Sequence, residues 1–425
     1  VKGYWPFPLD MLRHDGSRAA TPKDQAMIDR LSGDHAPARA AFKDVSITSD
    51  TQFRVRSPGD DPLVSRAVEV TSGGTSQGGR IRILPPIAGD VTPQPQPASA
   101  SAALVTATFT PARPGRPVAF ERRRDGAWKA AGTAKQDDEG SATIPVRDLG
   151  GGEWRAIAQE SRGIASVTSR PATTPQWANP VDEEFTNDSQ PAGWSHRLPN
   201  RWISGRTCGY VTPDQVTFPG RVARFSTQVV PRLTTRIAGR RASESSFRRN
   251  CEDATGQARY YAGSMMLTGT DANPRTFTHG IAAARIKFDP RAGQHAAFWL
   301  QSNAANDTEI DIVESFGRDQ RPLTVGLHIR RGTKTTPVQH RVADTAPTST
   351  SDDWYENYHV YSVEWTSRAY VYRIDGQEVF RTSRGPSDEP HYVVLSNFVA
   401  DWEIGKNSGE RSTMHVDWVK VWQQR

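Results

Sequence analysis

Eight residues in the C-terminal half of the chain, Thr308–Ser315, constrain its fold more than any other segment. Three carboxylates, Glu309, Asp311 and Glu314, stand here among apolar and β-branched residues, a composition typical of a strand. Strict alternation puts Glu309 and Asp311 on one face of that strand and Glu314 on the other. A β-bulge, which inserts one residue and re-aims the side chains beyond it, places all three acids on one face. The segment therefore predicts a bulged strand that carries an acidic site.

The same spacing also fits an edge strand whose acids point into water. Two strand steps of about 6.6 Å separate the Cα atoms of Glu309 and Glu314 by roughly 13 Å. Long side chains that lean together close this distance to about 5–5.5 Å, the carboxyl separation of a retaining glycosidase. Charges crowded on one apolar strand cost free energy. Because such groups cluster at functional sites, this cost favours a functional site over a solvated edge strand.

Composition limits the architecture and the class of partner. A chain of 425 residues suggests two or three domains, and its 34 glycines and 30 prolines favour all-β structure rich in turns. The net charge of +6 is spread along the chain, and the basic residues between 232 and 249 are interpreted as a solvated loop. We therefore expect no nucleic-acid partner. A monomer is also expected. No apolar run approaches 18 residues, so no membrane span is expected, and no signal peptide is visible at Val1.

Three pieces are predicted along the chain. Residues 1–95 have no assigned function and include a predicted short helix at residues 22–31. Residues 96–175 contain short alternating segments separated by turn signals such as Asp125-Gly126, which predict a small immunoglobulin-like β-sandwich with linkers. A Pro/Ser/Ala-rich stretch at residues 85–101 is interpreted as an extended, semi-rigid linker. Residues 176–425 form the third piece, which contains the acidic strand.

The order of motifs around the acidic strand resembles glycoside hydrolase family 16, in its laminarinase-like branch with the bulged acid motif. The resemblance begins near residue 180 and extends to the C-terminus. The segments that carry it, besides the acids, are residues 280–288, 295–301, 358–366, 370–376 and 414–422. It implies a two-sheet β-jelly-roll with a concave cleft, and a secreted, retaining, endo-acting glycoside hydrolase.

The resemblance also implies roles for the three acids. Glu309 matches the position of the nucleophile, and Glu314 matches the acid/base. Asp311 lies between them, where it can hydrogen-bond the nucleophile. Its negative charge is expected to raise the proton affinity of Glu314, which must be protonated for the first step.

Further side chains are candidates for contacts with the sugar. Trp299 matches a tryptophan at the floor of the cleft, with core packing as the alternative. Trp402 lies in a segment where family members carry a subsite loop and is expected to be a sugar platform. His328 matches a histidine turned toward the cleft, with a purely structural histidine as the alternative. No cofactor is required by this chemistry.

Two further pairs of residues are candidates for structural roles. Glu184 with Asp417 is a candidate for the calcium that many family members bind on the convex side. Cys208 and Cys251 are the only cysteines, and in an exported enzyme they can form one disulfide, with two buried thiols as the alternative.

The expected substrate is a β-1,3-linked polysaccharide, first of all a laminarin-type glucan. Galactan hydrolysis (agar, carrageenan or β-1,3-galactan) or transglycosylation is the alternative, and a non-catalytic glucan-binding protein is the alternative from another class. Arg330 and Arg331 follow His328 and put positive charge beside the predicted cleft, which suits an acidic or sulfated polymer as well as a neutral one. Because the net charge is modest, we expect the neutral glucan.

Overall fold

The computed structural model describes residues 77–89, 96–97, 101–161, 164–203, 205–230, 243–304, 307–317, 323–342 and 354–424, together with the backbone of five short strands before residue 71. The predicted helix at residues 22–31 and the basic residues 232–241 lie outside this part of the chain. No helix among the described residues has the length and apolar character needed to cross a membrane. The chain divides into two compact units, Val1–Ile83 with Val105–Thr174, and Leu84–Leu104 with Pro175–Arg425.

Short strands make up the described part of the first unit before the sandwich. They are β1 (Lys2–Tyr4), β2 (Asp10–Arg13), β3 (Arg39–Ala41), β4 (Thr51–Arg56) and β5 (Val68–Val70). Strand β1 pairs with β3, and β4 pairs with both β2 and β5, all antiparallel.

The predicted β-sandwich is built from two small sheets. Its strands are β6 (Gln77–Ala88), β7 (Ala102–Thr110), β8 (Pro117–Arg124), β9 (Ala127–Lys135), β10 (Ser141–Val146), β11 (Glu153–Ala158), β12 (Val167–Thr168) and β13 (Ala172–Thr173). One sheet has the order β10-β7-β6, and the other has the order β12-β11-β8-β9 with β13 added to β11. Phe109 from the first sheet and Phe120 and Trp154 from the second lie in one apolar core. The turn at Asp125-Gly126 joins β8 to β9 with positive φ at both residues, as its sequence predicts. The immunoglobulin-like assignment itself stays a prediction.

The second unit is the larger one and is almost entirely β-structure. Its strands are β14 (Trp177–Glu183), β15 (Trp194–His196), β16 (Arg201–Trp202), β17 (Gly209–Val211), β18 (Val216–Thr217), β19 (Ala223–Val230), β20 (Tyr260–Thr268), β21 (Gly280–Lys287), β22 (Gln294–Ser302), β23 (Thr308–Ser315), β24 (Thr324–Arg331), β25 (Lys334–Arg341), β26 (His359–Trp365), β27 (Tyr370–Ile374), β28 (Gln377–Thr382), β29 (His391–Val399) and β30 (Ser412–Gln424). Its one described α-helix is α1 (Glu244–Asn250), and 3₁₀ turns occur at Pro213–Gln215 and Asp401–Lys406.

Two antiparallel sheets of the second unit enclose its main core. One runs β15-β20-β29-β22-β23-β24-β25, and the other runs β28-β27-β26-β21-β30, with β14 and β19 also paired to β30. Ile310 and Ile312 of the acidic strand and Ala282 and Ala284 of β21 belong to the same fully buried cluster. This architecture confirms the two-sheet jelly roll. The acidic strand β23 lies inside its sheet rather than at an edge, which excludes the solvated-edge alternative.

The segment Leu84–Leu104 is part of the second unit, although residues 85–101 were predicted to be a linker. Leu84, Ile87 and Leu104 are buried in a cluster with Ile281 and Trp418. Strand β21 is apolar on both faces, since Ala282 and Ala284 face the main core while Ile281 faces this second cluster. When Leu84, Ile87 and Leu104 cover the outer face of β21, apolar surface is removed from water. This gain explains why the apolar residues of the segment pack against β21.

The two cysteines form a disulfide. Cys208 lies just before β17 and Cys251 follows α1, and both are fully buried. The bond confirms the disulfide and excludes the pair of free thiols. It ties α1 to the segment that begins at Arg206, which contributes to the site described next.

Candidate active site

A β-bulge in β23 gathers the three acids on one face of the sheet. Against β22, Phe298 pairs with Val313 and Trp299 pairs with Asp311, so Ile312 is the extra residue. The register against β24 also shifts, between Asp311 and Glu314. Residues paired directly across antiparallel strands share a face. The predicted bulge is therefore confirmed, and Ile312 turns into the core.

Glu309 lies at one end of this acidic row and forms an ion pair with Arg330 of β24. Its partner across the ladder is His328. The side chain of Glu309 keeps 19% of its surface exposed, more than either of the other acids. Glu309 is thus the acid of the row that solvent reaches most easily.

Asp311 is buried between the two glutamates. Its oxygen Oδ2 lies 3.5 Å from Nε2 of His328 and has no hydrogen-bond partner among the described residues. Burial raises the pKa of Asp311 well above its ordinary value, and the negative charges of Glu314 and Glu309 raise it further. Burial and the two neighbouring negative charges therefore favour the protonated form of Asp311.

Glu314 lies at the other end of the row and is held by His295 of β22. Nε2 of His295 is 2.7 Å from Oε1 of Glu314, and Nδ1 of the same ring is 2.9 Å from Nη2 of Arg206. A guanidinium only donates hydrogen bonds, so Nδ1 must accept and Nε2 must carry the hydrogen that Glu314 receives. The second oxygen of Glu314, Oε2, is 3.4 Å from the amide nitrogen of Gln339.

The pKa of Glu314 shifts in the direction opposite to that expected from the sequence. Burial raises the pKa of Glu314, but the hydrogen bond from His295 and the positive charges nearby outweigh burial and lower it. The charge of Asp311 is the only influence on Glu314 that the strand pattern contains, because nothing in that pattern shows that His295 and Arg206 reach Glu314. The prediction of a raised pKa for Glu314 was therefore wrong, and the raised pKa belongs to Asp311.

Arg206 anchors this end of the site. Burial lowers the pKa of Arg206 to about 10, while Asp401 and Glu314 act in the opposite direction. The carboxylate of Asp401 accepts hydrogen bonds from the backbone of Thr207 and Cys208, the two residues after Arg206. The guanidinium is thus fixed and charged at neutral pH.

Trp402 is the one large apolar side chain that the described part of the chain exposes, with 53% of its surface accessible. Its ring centroid lies 4.0 Å from the guanidinium carbon of Arg206, 5.7 Å from the ring of His295 and 6.0 Å from that of Phe316. The chain thus presents a supported aromatic face next to Glu314. Exposed aromatic faces bind the apolar faces of sugars, so the position suits a platform.

Trp299 and His328 lie on the same sheet face as the acids. Trp299 pairs across the ladder with Asp311, donates a hydrogen bond from Nε1 to Ser396 at 3.1 Å, and is half-buried. It therefore packs against an apolar cluster on one side and borders the acids on the other, and its contact with a sugar stays a prediction. His328 is half-buried and contacts Asp311 and Gln339, which places it at the acids as predicted.

Three members of the site were not singled out in the sequence. They are His295, which contacts Glu314, and Arg206 and Phe316, which contact the ring of Trp402. The alternation of β22 could have pointed to His295, because residues 295 and 297 lie on the same face of the strand as Trp299. Arg206 belongs to a loop remote in sequence and carries no such signal.

The contacts of Glu184 and Asp417 do not favour a calcium ion between them. Asp417 is buried against Arg285, with Nη1 2.7 Å from Oδ2, and Glu184 accepts a hydrogen bond from Lys420 at 2.7 Å. Each carboxylate thus already has a cationic partner, which would repel Ca²⁺ and occupies the oxygen that it needs. We derive no role for a metal from these residues.

A jelly roll that groups two glutamates and a buried aspartate on one bulged strand, beside an exposed tryptophan, defines a glycoside hydrolase domain. Residues 241–420 match the family model Glycosyl hydrolases family 16, and this part of the chain belongs to that family. All three acids lie within the matched range.

Solved structures with a similar fold cover 59% of the chain. The catalytic domain of an endo-1,3-β-glucanase (laminarinase) from Thermotoga petrophila is 18% identical, with a TM-score of 0.44 over 100% of that domain. The endo-β-1,3-glucanase of Pyrococcus furiosus is also 18% identical, with a TM-score of 0.44 over 96% of its chain. No curated protein matches the sequence.

Removing His295 is expected to move the pH profile of the enzyme. His295→Ala deletes the largest influence that lowers the pKa of Glu314, so this pKa should rise. A group that must be protonated then stays protonated to higher pH, and the basic limb of the profile of kcat/KM should shift upward. His340→Ala is the matched control, because His340 stacks on Phe380 and is not among the contacts of the acids. An unchanged basic limb in His295→Ala would show that His295 does not set the protonation of Glu314.

Proposed function

We propose that the C-terminal domain cleaves internal β-1,3 linkages of a polysaccharide by double displacement, with retention of anomeric configuration. The observation that carries this proposal is the bulge in β23, which turns Glu309 and Glu314 to one face with Asp311 between them. A pair of carboxyl groups on one face is the requirement of this chemistry. The carboxyl separation of about 5–5.5 Å in the working complex stays a prediction.

In the first step, an oxygen of Glu309 forms a bond to the anomeric carbon while the glycosidic bond breaks. Glu309 suits this role because it is the most accessible acid and Arg330 pairs with its anionic form. The proton of Glu314 goes to the departing sugar oxygen. Since Oε1 of Glu314 is engaged by His295, we assign the transferred proton to Oε2.

In the second step, Glu314 acts as the base. Its carboxylate takes a proton from a water molecule whose oxygen bonds to the anomeric carbon, and the ester bond to Glu309 breaks. The lowered pKa of Glu314 favours this basic role in the resting enzyme. The proton that Glu314 takes from water restores its acid form, so Glu314 carries the proton that the next first step requires.

The polymer is expected to contact aromatic surface next to the acids. Trp402 offers its exposed face beside Glu314, and Trp299 borders Asp311. A laminarin-type β-1,3-glucan is the first substrate to test. A glucan-binding protein without catalysis is less well supported, because such a protein has no need for a buried acid between two glutamates on one strand.

A panel of polymers tests this proposal. The protein is incubated with laminarin, mixed-linkage β-glucan, agarose and β-1,3-galactan, and the products are sized over time. An endo-acting enzyme should produce a ladder of intermediate oligosaccharides, and early products should carry the β-anomer by NMR. Early α-anomers would exclude retention. Release of single sugars alone would exclude endo-action, and longer products than the substrate would indicate transglycosylation. Binding to a polymer without any cleavage would support the binding protein.

We also propose that the protein acts in an oxidising compartment outside the cytoplasm. The buried bond between Cys208 and Cys251 supports this location, because disulfides persist in secreted proteins and are rare in reducing compartments.

A further inference from the structure

A polar cavity of about 650 Å³ opens on the side of the acidic row that carries Glu309, opposite to Trp402 and Glu314. The side chains that matter for its chemistry are Arg197, Arg201, Gln301, Asn303, Arg330 and Tyr392. This volume falls within the range of about 300–1,000 Å³ that is usual for sites of small ligands. The cavity shares Arg330 with the catalytic site, since Arg330 also pairs with Glu309.

The lining of this cavity carries an excess of positive charge. Three arginines face one carboxylate, Asp271, which accepts a hydrogen bond from the backbone of Leu198 at 3.0 Å. Among the residues that the structure describes, neither Arg197 nor Arg201 has a carboxylate within ion-pair distance. Two guanidinium groups are therefore available to a ligand.

Aromatic rings hold one of these guanidinium groups in place. The carbon of the Arg197 guanidinium lies 5.2 Å from the ring centroid of Trp299 and 5.8 Å from that of Tyr392. Nη1 of Arg197 also lies 3.9 Å from Sδ of Met265. The other N–H groups of the stacked guanidinium are donors of the kind that match two oxygens of a carboxylate or sulfate. Arg206 lies at the end of the acidic row that carries Glu314. It is less available to a ligand, because its Nη2 is hydrogen-bonded to His295.

We infer that this cavity is a subsite for a sugar unit that carries an anionic substituent, a sulfate or a carboxylate. The inference rests on the proposed function, because it places the substituted unit on the same polymer that Glu309 and Glu314 cleave. A neutral sugar offers these arginines only hydroxyl groups, whereas an anionic oxygen pair forms charge-assisted, bidentate hydrogen bonds. The subsite therefore selects substituted chains, which departs from the neutral glucan expected from net charge.

The test compares laminarin oligosaccharides that are neutral, partially sulfated, or oxidised to carboxylates at C6. Affinity is measured by calorimetry, and kcat/KM is measured on the corresponding polymers, at low and at high salt. The wild-type protein should bind at least one charged form about tenfold more tightly than the neutral form at low salt, as one charge-assisted contact allows. High salt should reduce this preference, because screening acts over about 8–10 Å. The charged oligosaccharide that binds more tightly than the neutral one shows whether the substituent is a sulfate or a carboxylate.

Variants connect the preference to the cavity. In the double variant Arg197→Gln/Arg201→Gln, the ratio of the affinity for the charged form to that for the neutral form should fall to about one. The control is Arg368→Gln, which replaces an exposed arginine in the turn between β26 and β27. It should keep the ratio of the wild type. Equal affinity of the wild type for all forms, or a preference that survives the double substitution, would overturn the subsite.

The two readouts separate this inference from the proposed function. Cleavage of neutral laminarin without a charge preference would retain the proposed function and remove the subsite. Tighter binding of charged oligosaccharides without cleavage of any polymer would retain the subsite and remove the proposed hydrolysis.

Discussion

Glu309→Gln is expected to reduce turnover of the polymer by roughly 10⁴-fold or more, because it removes the nucleophile and with it the covalent step. The amide is nearly the same size as the carboxylate, so the fold should persist. Binding of oligosaccharides should remain near that of the wild type at the end of the site that carries Trp402. The measurement is kcat on laminarin, with calorimetric binding and thermal unfolding on the same sample. Glu378→Gln is a matched control, since Glu378 is paired with Arg381 in an exposed position.

A rescue experiment distinguishes a lost nucleophile from a disturbed site. In Glu309→Ala, added azide can enter the vacated space and attack the anomeric carbon from the face that Glu309 occupied. The product should be a glycosyl azide of inverted configuration, formed from a substrate with a good leaving group. Retention of more than a few per cent of the wild-type rate in Glu309→Gln would remove Glu309 from the role of nucleophile.

Glu314→Gln is expected to reduce kcat/KM on the polymer by about 10²–10⁴-fold, the usual contribution of general acid catalysis. A dinitrophenyl glycoside should restore most of the loss in the first step, because its phenolate leaves without a proton. The second step should stay slow, since no base activates water. The glycosyl ester on Glu309 should therefore accumulate, and mass spectrometry of the intact protein can detect it.

The comparison of the two substrates is decisive for Glu314. An equal loss on the polymer and on the activated glycoside would show that Glu314 supports the structure rather than proton transfer. Gln339→Ala is a useful companion variant, because Gln339 lies 3.4 Å from Oε2, the oxygen to which we assign the proton. Its loss should be small compared with that of Glu314→Gln, since the contact is long for a hydrogen bond.

Much of the architecture follows from local pattern. The alternation in Thr308–Ser315 and the surplus acid at Glu314 require a bulge, because a strand has a period of two and three acids at this spacing cannot otherwise share a face. The Asp125-Gly126 turn follows from the ability of these residues to adopt positive φ. These features depend on residues close in sequence, so the sequence contains the information needed to predict them.

Other features depend on contacts between residues far apart in the chain. The segment Leu84–Leu104 has the composition of a linker, yet its few apolar residues find the outer face of β21, almost 200 residues further on. Glu184 and Asp417 have the chemistry of calcium ligands, but Lys420 and Arg285 are placed to pair with them. Composition cannot reveal either outcome, because it does not say which surfaces meet.

The sequence by itself determined the bulged strand and the shared face of its three acids, and the resemblance to a known family indicated the jelly roll. Only the tertiary structure decided that the pKa of Asp311 is raised while the pKa of Glu314 is lowered. Burial and the charges of the two glutamates raise the pKa of Asp311, whereas His295 and Arg206 approach Glu314 from another strand and from a distant loop. A pKa responds to every charge and hydrogen-bond donor within a few ångströms, and alternation along one strand specifies only which face a side chain occupies.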